Sequence, residues 1–100
     1  MDVEIRFETS PWVPGMRASD WYGQVSAELF VPDSQVDDFT EAFDLAGVSV
    51  EADISAKARN LGANAVLSYE LVADLWTEVG DVPGMRFRAT GTAARLVRLF

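Results

Sequence analysis

The chain has 100 residues, which is enough for one compact domain over residues 1–100 and too few for two. A hydrophobic fraction of 49% and a mean hydropathy of +0.07 favour a buried core, and a formal net charge of -8 disfavours nucleic acid and anionic membranes as partners. The absence of histidine and cysteine excludes zinc fingers, disulfides, iron–sulfur clusters and enzymes with a Cys or His nucleophile.

Alternating apolar and polar residues predict two strands in the first third of the chain. Residues 3–8 alternate until Ser10-Pro11, and residues 21–31 alternate until Pro32. The N-terminus is acidic and alternating, unlike a signal peptide, and no run of about 20 apolar residues is present that could span a membrane. We therefore expect a cytoplasmic protein without a membrane partner.

A helical period of apolar residues follows over residues 33–61. Asp33 or Ser34 is expected to cap the start, and Gly47 is expected to end or break the first helix. The same period resumes and continues to Gly62, a residue type that accepts the left-handed conformation just beyond a helix. The pattern predicts one or two helices.

The last third of the chain predicts a hairpin of two strands. Residues 64–76 form the first strand, residues 77–84 the loop, and Met85 begins the last strand. The alternation fails near Ala93-Ala94, where we expect a bulge or the end of the sheet. Together these elements predict an α+β domain with an antiparallel sheet packed on one or two helices.

One short motif occurs twice in the chain. Val-Pro-Gly-Met-Arg fills residues 13–17 and again residues 82–86. Pro-Gly favours the two central positions of a type II turn, because glycine tolerates the positive φ there. Either the two copies form hairpin tips on one side of the domain that contact a common partner, or they are two independent tight turns.

Three blocks of sequence resemble the YbjQ family, in the family's order and over residues 7–97. One block is the helix-to-strand junction, Ala-Arg-Asn-Leu-Gly-Ala-Asn-Ala-Val at residues 58–66. The other two are the final strand, with Gly91-Thr92-Ala93, and the opening hairpin, with Thr9, Pro14-Gly15 and residues 22–28. The junction has a weaker likeness to the core of the lipoprotein RcsF, whose kind of anchoring needs a cysteine. The central segment, residues 32–61, is shorter than in the family.

The resemblance implies a two-layer β-α-β-β unit with an additional N-terminal strand. Some family members form ring-like pentamers, so the resemblance also implies a ring-forming homo-oligomer. The exposed strand edges of a small sheet need covering, which self-association would provide. The family is often labelled a heavy-metal-binding domain, but soft metals prefer thiolate and imidazole ligands, which this chain lacks.

Aromatic, methionine and arginine side chains are candidates for a subunit interface. Residues 28–53 carry eight acids and no base, and residues 84–100 carry four arginines and no acid. These segments could pair within the fold or between subunits, or remain solvated. Trp and Tyr dominate interface hot spots, although they also cover the ends of small cores. The candidates are Trp12, Met16, Trp21, Trp76, Met85, Arg86 and Arg88.

Three carboxylates form the candidate metal site. Asp37, Glu41 and Asp44 fall on one stripe of the predicted helix, within about 60° of one another. Hard divalent cations prefer carboxylate oxygens as ligands. The alternative is a solvated acidic face.

The sequence favours a non-enzymatic, homo-oligomeric assembly or binding module, with a basic protein as a further candidate partner. The alternative function is divalent-cation binding through the acidic helix face, and no other cofactor is expected. An enzyme is the third choice, because no spacing selects a catalytic carboxylate pair and no phosphate-binding loop is present.

Overall fold

The computed structural model describes residues 4–35 and 38–99, apart from the side chains of residues 75–79. Its elements are β1 (Arg6–Phe7), β2 (Met16–Pro32), a 3₁₀ turn (Asp33–Gln35), α1 (Phe39–Leu61), β3 (Ala65–Val79) and β4 (Val82–Arg98). The strands form one sheet in the order β1-β3-β4-β2. β2 and β3 run antiparallel to β4, and β1 runs parallel to β3. The predicted α+β fold, with a sheet packed on a helix, is confirmed.

Both ends of α1 are capped, but the start differs from the prediction. The side chain of Asp38 accepts hydrogen bonds from the backbone N–H groups of Thr40, at 2.8 Å, and Glu41, at 3.4 Å. The predicted cap at Asp33 or Ser34 is wrong, because these residues form the separate 3₁₀ turn. Gly62 has the expected left-handed conformation, with φ 93°.

α1 is a single helix that passes through Gly47 without a break. A glycine inside a helix costs about 1 kcal/mol relative to alanine, so the prediction placed an end or a break here. Tertiary packing offsets this cost, since one stripe of the helix is buried against the sheet along its length. The stripe consists of Ala46, Val50, Ile54 and Ala58.

The main core lies between this stripe and the helix-facing side of β2 and β4. Val25 and Ala27 of β2 and Ala89 and Ala93 of β4 are all buried here. The small alanines on both layers let the helix approach the sheet closely. At the N-terminal end of α1, the ring of Phe43 packs edge-on against the fully buried Phe87, with centroids 5.7 Å apart.

A second core covers one end of the opposite face of the sheet. Its members are Val13, Ala65, Leu67, Ala94 and Leu96. β4 is therefore buried on both faces at Ala93-Ala94, which explains why its alternation fails there. The sheet does not end at this point. The predicted bulge is confirmed, since Trp21 pairs with Ala94 and Gly23 with Ala93, which leaves Tyr22 as an extra residue in β2. A second register shift lies between Ala18 and Asp20.

The two copies of the repeated motif lie at opposite ends of the sheet. β3 and β4 are joined through Gly80-Asp81, so the second copy lies inside β4 and the predicted loop over residues 77–84 is wrong. In the β2–β4 ladder, Met16 pairs with Arg98 and Gly84 pairs with Pro32. Fifteen residues of extended strand separate the ends by roughly 50 Å. The interpretation as two hairpin tips on one side of the domain is therefore wrong.

β1 is shorter than predicted and joins only the start of β3. The N–H of Arg6 donates to the carbonyl of Asn64, and the N–H of Glu8 donates to that of Val66, each at 3.0 Å. Two further bonds extend this pairing, because the N–H of Ser68 donates to the carbonyl of Ser10 and the N–H of Tyr69 donates to that of Glu8, each at 2.9 Å. In the described residues no segment pairs with β3 on this side beyond Tyr69. This edge and the outer edge of β2 are the two open edges of the sheet.

A lysine of α1 binds to the open edge of β2. Lys57 of α1 donates from Nζ to the carbonyl of Ser26 at 2.7 Å and contacts Oδ2 of Asp53 at 3.0 Å. A lysine beside an edge strand places charge where another strand would otherwise pair.

The two glycines at positions 47 and 91 should respond to alanine substitution with opposite sign. A Cβ on Gly47 would meet Cδ2 of Leu71 at 3.5 Å, an ordinary contact, so Gly47→Ala should stabilise the fold by about 0.5–1 kcal/mol. A Cβ on Gly91 would overlap Cγ1 of the buried Val66, so Gly91→Ala should destabilise it by about 1–3 kcal/mol. Urea unfolding of both variants measures the two changes, and a destabilised Gly47→Ala protein would contradict the continuous helix.

Candidate functional site

Two exposed tryptophans flank a small apolar cleft at one end of the domain. Trp12 is 63% exposed and Trp21 is 61% exposed. The cleft has a volume of about 40 Å³, and its floor is formed by the second core. We call this region the tryptophan surface, which consists of Pro11, Trp12, Val13, Met16, Arg17, Ala18, Trp21, Leu67 and Leu96.

The first copy of the repeated motif builds one wall of this surface. Pro14-Gly15 turns the chain, Gly15 has a φ of 79°, and the N–H of Met16 donates to the carbonyl of Val13 at 3.1 Å. Leu99 closes the same turn by donating its N–H to the carbonyl of Gly15 at 3.1 Å. The turn thereby holds Val13 over the second core and leaves the neighbouring Trp12 exposed.

Asn64 fixes the strand behind the tryptophan surface. Its Oδ1 accepts from the N–H of Leu96 at 2.7 Å, and its Nδ2 donates to the carbonyl of Leu96 at 3.0 Å. These two bonds tie the turn after α1 to β4. Because Leu96 lies in the floor of the cleft, this pair of bonds sets the position of that floor.

Arginines surround the tryptophan surface. Arg17 lines the cleft, and Arg98 is exposed and paired with Met16 in the ladder. Arg6 is already bound to Glu8, with 2.6 Å between Nε and Oε1, and Arg95 donates to the carbonyl of Gly62 at 3.3 Å. Within the described part of the chain, no carboxylate forms a salt bridge with Arg17 or Arg98. These two guanidinium groups therefore carry the available positive charge.

The opposite end of the domain is acidic. Exposed carboxylates there lie in the 3₁₀ turn and the first turns of α1, namely Asp33, Asp38, Glu41 and Asp44. This end packs against Met85 and Phe87, near the Pro32–Gly84 end of the ladder. The domain is 52 Å long and 23 Å wide, so these four carboxylates lie far from Arg17 and Arg98.

The structure brings together three of the predicted interface residues and separates the others. Trp12, Met16 and Trp21 meet at the tryptophan surface. Met85 is 6% exposed in the core beside Ala46, where it contributes to packing within the chain. Trp76 has a side chain outside the described set.

Arg86 and Arg88 lie on the face of the sheet that points away from the helix. Nε of Arg86 is 3.7 Å from Oε1 of Glu28, and Nη2 of Arg88 is 2.9 Å from Oδ2 of Asp74. Of the alternatives for these basic residues, pairing within the fold is therefore observed. A depression of about 430 Å³ beside them also involves Lys57, but each of its cations already has a carboxylate partner.

The candidate metal ligands are only partly described. Asp37 lies outside the described residues, whereas Glu41 and Asp44 are both exposed on α1. Residues 4–35 and 38–99 contain no group of three acids that could hold a metal ion.

Sequence reasoning missed Arg17, Arg98, Leu45 and Val48 as surface residues of interest. Arg17 and Arg98 are placed beside the cleft by strand register, for which the sequence holds no local signal. Leu45 and Val48 are 64% and 69% exposed. Their signal was present, because both fall outside the apolar stripe that packs on the sheet.

The comparison with solved structures supports the fold. No family model matches the sequence, and no curated protein matches it. A protein of unknown function from the DUF74 family of Pediococcus pentosaceus ATCC 25745 is similar in structure, with a TM-score of 0.65 and 16% identity over 93% of this chain and 98% of that one. At this identity the likeness shows the fold alone. In the described residues, no helix has the length and apolarity needed to cross a membrane.

Substitution of Asn64 should separate its two hydrogen bonds. Asn64→Ala removes both bonds and leaves two backbone groups of Leu96 without this partner, so we expect a loss of about 1–3 kcal/mol in the free energy of unfolding. Asn64→Asp retains the acceptor for the N–H of Leu96 but places a carboxylate near its carbonyl, and should also be destabilising. Chemical denaturation of both variants tests this; unchanged stability in Asn64→Ala would contradict the anchoring of β4.

Proposed function

We propose that this chain is a non-enzymatic module that assembles with copies of itself. The observation that carries the proposal is the tryptophan surface, where two largely exposed tryptophans flank an apolar cleft. Exposed aromatic groups of this kind mark protein interaction sites, because burying them releases water from a large apolar area. A net charge of -8 makes copies of the chain repel one another and so opposes unspecific association. Association therefore requires a localised favourable contact, which the apolar cleft provides.

Two further observations support self-assembly. The sheet has open edges on β2 and β3, and open edges are commonly covered by oligomerisation. The resemblance to the YbjQ family implies ring-like oligomers, and the fold shared with the DUF74 protein agrees with that resemblance. A pentamer is the number that the resemblance suggests.

Self-assembly predicts a solution mass that is an integer multiple of 11.0 kDa. Light scattering coupled to size-exclusion chromatography measures it directly. Trp12→Ala and Trp21→Ala should each weaken association, by about 2 kcal/mol if the residue is a hot spot, and shift the protein towards the monomer. Circular dichroism should show an unchanged fold, because both side chains are more than 60% exposed.

Val82→Ala is the matched control. Val82 is also an exposed apolar residue, with 46% exposure, but it lies at the start of β4, at the end of the sheet away from the cleft. We expect it to leave the mass unchanged. A monomeric wild-type protein, or tryptophan variants that assemble like the wild type, would refute the proposal.

A further inference from the structure

We propose that the tryptophan surface of one copy binds the acidic helix face of the next copy in a head-to-tail contact. The acidic helix face consists of Asp38, Glu41, Asp44, Leu45 and Val48. This inference rests on the proposed function, and it adds which two surfaces meet and in which orientation.

The acidic helix face combines carboxylates with exposed apolar side chains. Asp38, Glu41 and Leu45 line a shallow groove of about 110 Å³ on the first turns of α1. Val48 follows Leu45 by three residues, so the two side chains are neighbours on the same side of the helix. Leu45 and Val48 have no core to enter, because the buried stripe of α1 lies on the opposite side.

The two surfaces are complementary in both charge and polarity. The end of the domain that carries the tryptophan surface offers aromatic rings and two guanidinium groups, that of Arg98 on the sheet face of Met16 and that of Arg17 on the reverse face. The acidic helix face offers two aliphatic side chains together with carboxylates. Arginine binds carboxylates through paired hydrogen bonds, and complementary charges favour the correct orientation of the partners.

These surfaces cannot meet within one chain. The tryptophan surface lies near the Met16–Arg98 end of the ladder, and the acidic helix face lies near the Pro32–Gly84 end. With a domain length of 52 Å between the ends, only a second molecule can bring the surfaces together. The resulting contact is heterologous, and it forms a ring where the rotation between copies closes.

The competing arrangement is a two-fold contact between two tryptophan surfaces. That arrangement would bring the arginines of both copies to one interface and leave the acidic helix face uncovered. Like charges across an interface are unfavourable, so the head-to-tail contact is the one that the charges favour.

The test uses two charge-reversal variants of the full chain. One variant, Arg17→Glu/Arg98→Glu, reverses the rim of the tryptophan surface. The other, Glu41→Arg/Asp44→Arg, reverses the acidic helix face and leaves the helix cap at Asp38 intact. Each variant alone should associate at least tenfold more weakly than the wild type in light scattering.

An equimolar mixture of the two variants should recover association in light scattering, whereas each variant alone remains weak. Each variant keeps one native surface, and these two native surfaces fit each other in a head-to-tail contact. The two reversed surfaces are also complementary, so every contact in the mixture joins one variant to the other, and a closed ring of the mixture has an even number of copies. A two-fold contact between tryptophan surfaces would instead leave Glu41→Arg/Asp44→Arg alone assembled like the wild type, because that variant keeps its tryptophan surface unchanged. Glu70→Arg is the control, because Glu70 is exposed on β3 outside both surfaces and its reversal should leave the mass unchanged.

The outcomes separate this inference from the proposed function. A monomeric wild-type protein overturns both. An assembled wild type with unaffected charge variants, or a mixture that does not recover, overturns the head-to-tail contact alone.

If a reversal variant fails to fold, the neutral variants Arg17→Gln and Glu41→Gln replace it, combined with a salt titration. Association of the wild type should then weaken several-fold between 50 mM and 500 mM salt, about the range in which such contacts are screened, and the neutral variants should depend less on salt. Equal salt dependence would again overturn the inference.

Discussion

The burial of β4 on both faces is the constraint on which the rest of the structure depends. This strand is hydrogen-bonded to β2 on one side and β3 on the other. The helix covers one face, and the second core covers the other face at Ala94 and Leu96. Position 91 requires a glycine, because Cγ1 of Val66 occupies the space where a Cβ would lie. β2, β3 and α1 all pack against β4, which leaves little freedom for its register to shift.

That register decides which side chains can act together on the surface. Pairing of Met16 with Arg98 and of Arg17 with Val97 places two arginines at the end that carries the exposed tryptophans, while the same ladder carries the start of α1 to the far end. Arg17 and Arg98 thus become separated by the length of the domain from the carboxylates of the 3₁₀ turn and α1. These opposite charges cannot meet within one folded chain, so they can attract each other only between two molecules.

The sequence predicted the fold from patterns that are local. Alternation located the strands, the helical period located the buried stripe, and Gly62 marked the helix end because its conformation is set by its immediate neighbours. The errors arose where distant contacts decide. Gly47 remains helical because the stripe around it is buried, and Pro83-Gly84 extends as a strand because it pairs with β2 and β3. Trp12 and Trp21 were identified by residue type, but Arg17 and Arg98 required the register.

Lys57 has a consequence for the chemistry of this protein. It is the only lysine in the sequence, and its ammonium group donates a hydrogen bond to the carbonyl of Ser26 on an open strand edge. Acylation of that amine would remove the charge and weaken its hold on both Ser26 and Asp53. Acylation of this one side chain would therefore leave the edge of β2 without its charged neighbour. The reactivity of a single amine is in this way linked to the tendency of β2 to pair with a strand from another molecule.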